Sequence, residues 1–91
     1  MAEARQTVTI THKRGLHARA SAKFVAAAAQ MDGTRITVTK DGASALGGSI
    51  LGLMMLGAAK GDTIEIAAEG EDAEARLGEL VTLVESGFGE D

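Results

Sequence analysis

Two residues of the stretch RGLHARASAKF, His17 and Arg19, have the types and the spacing to handle a phosphoryl group. A neutral imidazole nitrogen is available as a nucleophile near pH 7. Gly15 stands behind the histidine and an alanine-rich run begins at Ala18, so His17 falls where a turn becomes a helix. The first N–H groups of a helix have no partner inside it and point outward with the positive end of the dipole. The amides of Ala18 and Arg19 are therefore candidate donors to phosphate oxygens. Arg19 adds a permanent charge and planar donors suited to the same oxygens. Phosphoryl transfer needs positioning and charge stabilisation more than an elaborate base. Spacing alone leaves a blander reading open, because histidines near helix starts are common and Arg19 reads equally as a solvated surface residue.

A second hydroxyl-bearing candidate is Ser49, after two glycines and before the apolar run ILGLMML. Its first role is an N-cap, worth about 1 kcal/mol. A phosphate there would add roughly -1.5 to -2 charges at a helix start, favourable locally and repulsive toward an acidic partner. The run itself is too apolar all round for a short, half-exposed helix. Part of it must be core. Ile50, Leu51 and Met54 are candidates for an exposed partner-docking patch, with Gly52 allowing close approach.

The other histidine, His12, reads as a turn or strand-end residue. A metal pair with His17 is not expected, because the turn at Gly15 removes a shared helical face and no Cys or nearby acidic cluster completes a site. GASALGGSILG lacks the Lys-Ser/Thr ending of a nucleotide-phosphate loop, so no cofactor is expected.

These residues must be placed by a modest set of elements. TVTIT (Thr7–Thr11) alternates, with Val8 and Ile10 on one face, and reads as a half-buried strand. ARASAKFVAAAAQM (Ala18–Met31) favours helix, with Phe24, Ala28 and Met31 at helical spacing. TRITVT (Thr34–Thr39) is a second strand burying Ile36 and Val38, and KDG turns the chain into a short third strand at Ala43–Leu46. Ser49 opens a short helix reaching about Leu56. KGD leads into TIEIAAE, with Ile64 and Ile66 inward. A last helix starts near Asp72, where Glu71 and Glu74 suit the positive helix end, and carries the stripe Ala73, Leu77, Leu80, Val81, Val84 and Phe88. Gly87 suits its C-terminal cap and puts Phe88 just beyond. The order β-α-β-β-α-β-α predicts an α+β two-layer sandwich, a mostly antiparallel sheet covered by three helices. Periodicity leaves the strand order open.

Beyond spacing, GLHARASA closely resembles the phosphorylated segment of HPr, the histidine-containing phosphocarrier of the bacterial phosphoenolpyruvate-dependent phosphotransferase system. GGSILGLMMLGAAKGDTIEI resembles that family's second signature region, and the intervals fit across nearly the whole chain. The resemblance implies an open-faced sandwich with sheet order 1-4-2-3. It implies that His17 is phosphorylated on Nδ1 by Enzyme I and passes the group to an EIIA-type protein, with Arg19 assisting. It implies that Ser49 matches a regulatory serine which HPr kinase/phosphorylase modifies in some bacteria, and that the partner surface joins the His17 region to the ILGLMML helix. Such proteins serve sugar transport or a nitrogen-related regulatory branch, and LGLMMLGAA leans toward the latter. In one departure, Ala20 stands where the family usually has proline; it supplies an extra donor and a looser helix start, which bears on transfer rate and local rigidity.

Composition narrows the classes further. Ninety-one residues make one domain, spanning 1–91. There is no Cys, which excludes a disulfide framework. MAEARQTV has no apolar signal core, and SILGLMMLGAA is about half a membrane span, so a cytoplasmic protein without membrane insertion is expected. The net charge of -4 argues against nucleic acid. Acids crowd the C-terminal third, whereas Arg5, Lys13, Arg14, Arg19 and Lys23 lie toward the N-terminus around His17, which favours an acidic partner or an anion there. Nothing signals oligomerisation, so a monomer is expected. Two rivals to a carrier remain on sequence grounds: a small acyl-phosphate hydrolase that uses Arg19, and an interaction module in which His17 is incidental.

Overall fold

Residues 2–89 are described by the computed structural model. Four strands, β1 (Glu3–Thr9), β2 (Thr34–Lys40), β3 (Ala43–Leu46) and β4 (Thr63–Gly70), form one antiparallel sheet in the order β1-β4-β2-β3. Three helices, α1 (Ala18–Ala29), α2 (Ile50–Met55) and α3 (Ala73–Glu85), cover one face, and a 3-10 turn at Gly87–Gly89 follows α3. The expected element order and the order 1-4-2-3 are both observed.

Alternation decides which face is covered. Val8 pairs with Ile64, Val38 with Ile66 and Ile36 with Ala68, so the inward residues of three strands meet in one register. Phe24 of α1, Leu53 of α2 and Leu77, Leu80, Val81 and Val84 of α3 close over them, all buried. Phe24 and Phe88, the two aromatics of the sequence, are both fully buried and supply bulk that the many alanines cannot. The opposite face stays polar. There Arg5 bonds Glu3 at 3.0 Å and Glu65 at 3.1 Å, contacts that raise its pKa, the Glu3 hydrogen bond foremost.

Several boundaries depart from the sequence reading. Strand β1 begins at Glu3 rather than Thr7, because β4 extends to Gly70 and offers Glu69 and Ala68 as partners for Glu3 and Ala4. Helix α1 ends at Ala29; Gln30 and Met31 donate to the Ala27 and Ala28 carbonyls at 3.2 and 3.0 Å, a tightened last turn that swings Met31 into the core. Asp72 precedes α3 in the left-handed region, φ 50°, and makes no side-chain cap; the acidic complement to the helix end is Glu74 in the first turn. Gly87, φ 66°, follows the Ser86 cap as expected, but Phe88 then folds back through its own positive φ of 61° and fills the core.

Candidate phosphoryl-acceptor site

Backbone dictates the position of His17. Gly15 takes φ 63° and its amide donates to the His12 carbonyl at 2.9 Å, closing the turn after β1. Leu16 plugs the core, and its amide donates to the Ala58 carbonyl at 2.9 Å, tying this turn to the segment after α2. His17 then has φ -73° and ψ 177°, extended geometry that suits an N-cap. Its carbonyl accepts from Ser21 N at 2.9 Å, the first bond of α1, while buried Ser21 returns its hydroxyl to the Leu16 carbonyl.

The imidazole replaces the usual short polar cap. Nδ1 of His17 accepts the Arg19 amide at 3.2 Å, at the protein surface. Nε2 is buried, with less than 1 Å² accessible. An Nδ1 that accepts must be unprotonated, so the neutral ring carries its proton on Nε2. The lone pair thus lies on the exposed nitrogen, at the positive end of a 12-residue helix with no acidic residue in its first turn. Among the described residues no side-chain hydrogen bond or ion pair holds the Arg19 guanidinium, and Arg19 is exposed two residues after the histidine.

Sequence reasoning placed His12 at a strand end and went no further. The structure buries it and brings its ring to 4.9 Å from that of His17, centroid to centroid and tilted by 50°. Its Nδ1 accepts the Arg14 amide at 3.1 Å. The signal was available: Val8, Ile10 and His12 share one strand parity, and the first two are core. Among the described residues no group of three or more potential ligands assembles around the pair.

Arg5 corrects the expected charge map. It belongs to the polar face of the sheet and pairs with Glu3 and Glu65, away from the helix layer. Lys23 lies on α1, and its ammonium donates to the Phe88 carbonyl at 3.1 Å, joining that helix to the turn after α3. Lys13 and Arg14 are exposed in the turn before His17.

Ser49 caps α2 as expected: its Oγ accepts the Gly52 amide at 2.9 Å. Within the apolar helix, Leu53 is core, while Ile50, Leu51 and Met54 are 41%, 68% and 40% exposed. Two further large apolar residues that the spacing did not single out are exposed, Met55 at 78% and Leu46 at 53%. At Gly52 a Cβ would meet Ser49 Oγ at 3.0 Å and the Ala45 side chain at 3.3 Å, so the glycine lets α2 sit on β3. Ala20, at the third helical position, is fully buried.

A family model described as "PTS HPr component phosphorylation site" matches residues 4–86. The chain is 44% identical over 86 residues to phosphocarrier protein HPr of Neisseria meningitidis serogroup A, covering 94% of this chain and 96% of that protein. It is 39% identical over 90 residues to phosphocarrier protein NPr of Shewanella violacea, covering 99% and 98%. The crystal structure of HPr-C-His from Thermoanaerobacter tengcongensis superposes with a TM-score of 0.88 at 42% identity, covering 100% of this chain and 99% of that one.

Proposed function

The chain belongs to the HPr family of phosphotransferase-system phosphocarriers, and on that premise we propose that it takes a phosphoryl group from Enzyme I onto Nδ1 of His17 and passes it to an EIIA-type protein. It is a phosphocarrier rather than an enzyme, a protein that is itself the substrate of each transfer. One observation carries the residue assignment: the unprotonated Nδ1 of His17 is held at the surface by the Arg19 amide, 3.2 Å away, at the start of α1.

The chemistry follows from that arrangement. Nδ1 attacks the phosphorus of the phosphorylated donor; the Nδ1–P bond forms as the donor's bond to phosphorus breaks, its electron pair staying with the donor. The ring keeps its proton on Nε2. Once Nδ1 is bonded to phosphorus, the Arg19 amide no longer has the lone pair to serve and is directed at the phosphoryl oxygens, with the Ala18 amide beside it. The Arg19 guanidinium spreads the remaining charge. Delivery to the acceptor reverses these steps.

Ser49 and the exposed residues of α2 extend the proposal. Ile50, Leu51 and Met54 offer both partners an apolar contact, with Leu46 and Met55 enlarging it. Phosphorylation of Ser49 by an HPr kinase/phosphorylase would place a dianion at the edge of that contact and oppose docking of acidic surfaces. A regulatory, nitrogen-branch role rather than sugar transport is the second reading, raised by the LGLMMLGAA segment and by the 39% identity to an NPr protein beside 44% to an HPr protein.

The test is intact mass after incubation with Enzyme I and phosphoenolpyruvate, wild type beside His17→Ala. One acid-labile phosphoryl group on the wild type alone is expected. No label with a demonstrably active Enzyme I, or sustained partner-free release of phosphate from an acyl phosphate, would overturn the carrier assignment. Offering the labelled protein sugar-type and nitrogen-type EIIA acceptors in parallel then decides the branch.

A further inference from the structure

We propose that His12 is a positioning residue for phosphoryl transfer, holding the His17 ring in the orientation that presents Nδ1 outward; this rests on His17 being the acceptor. An imidazole at a helix cap has a broad, roughly two-fold χ2. A half-turn about that bond would take Nδ1 from the Arg19 amide and put a carbon in its place. The Arg19 amide, 3.2 Å from Nδ1, favours one orientation of a ring whose reactive edge must stay at the surface. Packing adds to that preference.

His12 supplies it from the inner side. Its ring lies 4.9 Å from that of His17 at a 50° tilt, within the range of favourable ring contacts, and is itself 5% exposed. Two hydrogen bonds fix His12 in turn. Its Nδ1 accepts the Arg14 amide at 3.1 Å, which closes the turn much as an Asx side chain would. The preceding residue, Thr11, donates its hydroxyl to the Glu85 carbonyl at 3.2 Å, pinning the strand end to the last turn of α3. The His17 orientation is thereby connected to the C-terminal end of α3, far away in the sequence. Positioning errors near 1 Å can cost about a hundredfold in rate, so a wall that fixes one ring is enough to matter.

The test uses the full chain and three substitutions. His12→Asn keeps a short acceptor for the Arg14 amide but removes the ring, His12→Phe keeps a ring but removes the acceptor, and His12→Ala removes both. Two readouts are taken on each: the His17 tautomer by nitrogen-proton correlation spectra of the imidazoles, and the rate of labelling by Enzyme I. The expected result is a single Nε2–H tautomer of His17 in the wild type and mixed nitrogen signals in His12→Ala and His12→Asn. Labelling slows roughly ten- to a hundredfold in both, and His12→Phe recovers part of it. Folded Ala and Asn variants that keep the wild-type tautomer and rate would overturn the proposal and leave His12 as core packing. An unlabelled wild type would instead overturn the acceptor assignment beneath it, whatever the spectra show.

Discussion

Gly15 lies directly against the Ala58 carbonyl: a Cβ at Gly15 would fall inside the contact distance of that oxygen, which also accepts the Leu16 amide at 2.9 Å. The turn that carries His17 is thereby fastened to the segment leaving α2. Gly15→Ala meets both a positive φ of 63° and this backbone contact, and should cost about 1–3 kcal/mol. Gly42→Ala is the control, since φ is 84° there but nothing lies within 4 Å. Thermal unfolding and Enzyme I labelling, measured together, should both fall for Gly15→Ala, whereas Gly42→Ala should lose stability alone.

Arg19 contributes through its amide and its guanidinium, and substitution separates them. Arg19→Ala keeps the amide at Nδ1 and should lower kcat/KM for transfer about ten- to a hundredfold, the loss of one charge-assisted contact of roughly 1.5–3 kcal/mol. Arg19→Lys should recover only part of that, because a point charge cannot match the planar fork. Equal rates for all three proteins would remove the guanidinium from the mechanism.

Ser49 combines a cap with a proposed switch. Ser49→Ala loses the bond from the Gly52 amide and should destabilise by about 1 kcal/mol, a fall in Tm of roughly 4–8 °C. Ser49→Asp retains a capping acceptor, so its Tm should stay near the wild type while labelling by Enzyme I slows. If both variants were labelled at the wild-type rate, Ser49 would be a cap and nothing more.

Leu51 and Leu53 lie two residues apart in α2 with opposite environments, 68% exposed and fully buried. Leu51→Arg should raise KM for both partners with no change in Tm. Leu53→Ala should cost about 2–5 kcal/mol and lower Tm before it affects any single partner. A Leu51 variant with unchanged KM would place the docking surface elsewhere.

What the sequence made legible was local. Ser49 and Gly87 obey capping rules that span a few residues, and both behave as those rules require. The position of His17 at the head of α1 was legible for the same reason, as the residue between a glycine turn and an alanine-rich helix, whereas its proposed role leaned on family resemblance. What escaped were relationships across the chain. The contact between His12 and His17 depends on the turn geometry at Gly15, which residue types announce but do not specify. Arg5 is close to His17 in sequence yet sits on the other side of the sheet, because strand parity sends it to the polar face. The strand order depended on family resemblance, since alternation says which face is buried and nothing about neighbours.

The buried Nε2 and exposed Nδ1 of His17 have a consequence for traffic. A nucleophile with one open edge admits one phosphorus at a time, so on the proposed chemistry donor and acceptor must visit the same few square ångströms in alternation. Both partners cannot hold that one nitrogen at the same moment. Each cycle then includes two departures, and throughput depends on how fast each partner lets go as much as on how fast the bond is made. Tight docking would choke such a relay, and a small, adaptable patch of leucine and methionine is the kind of handle that lets both parties leave.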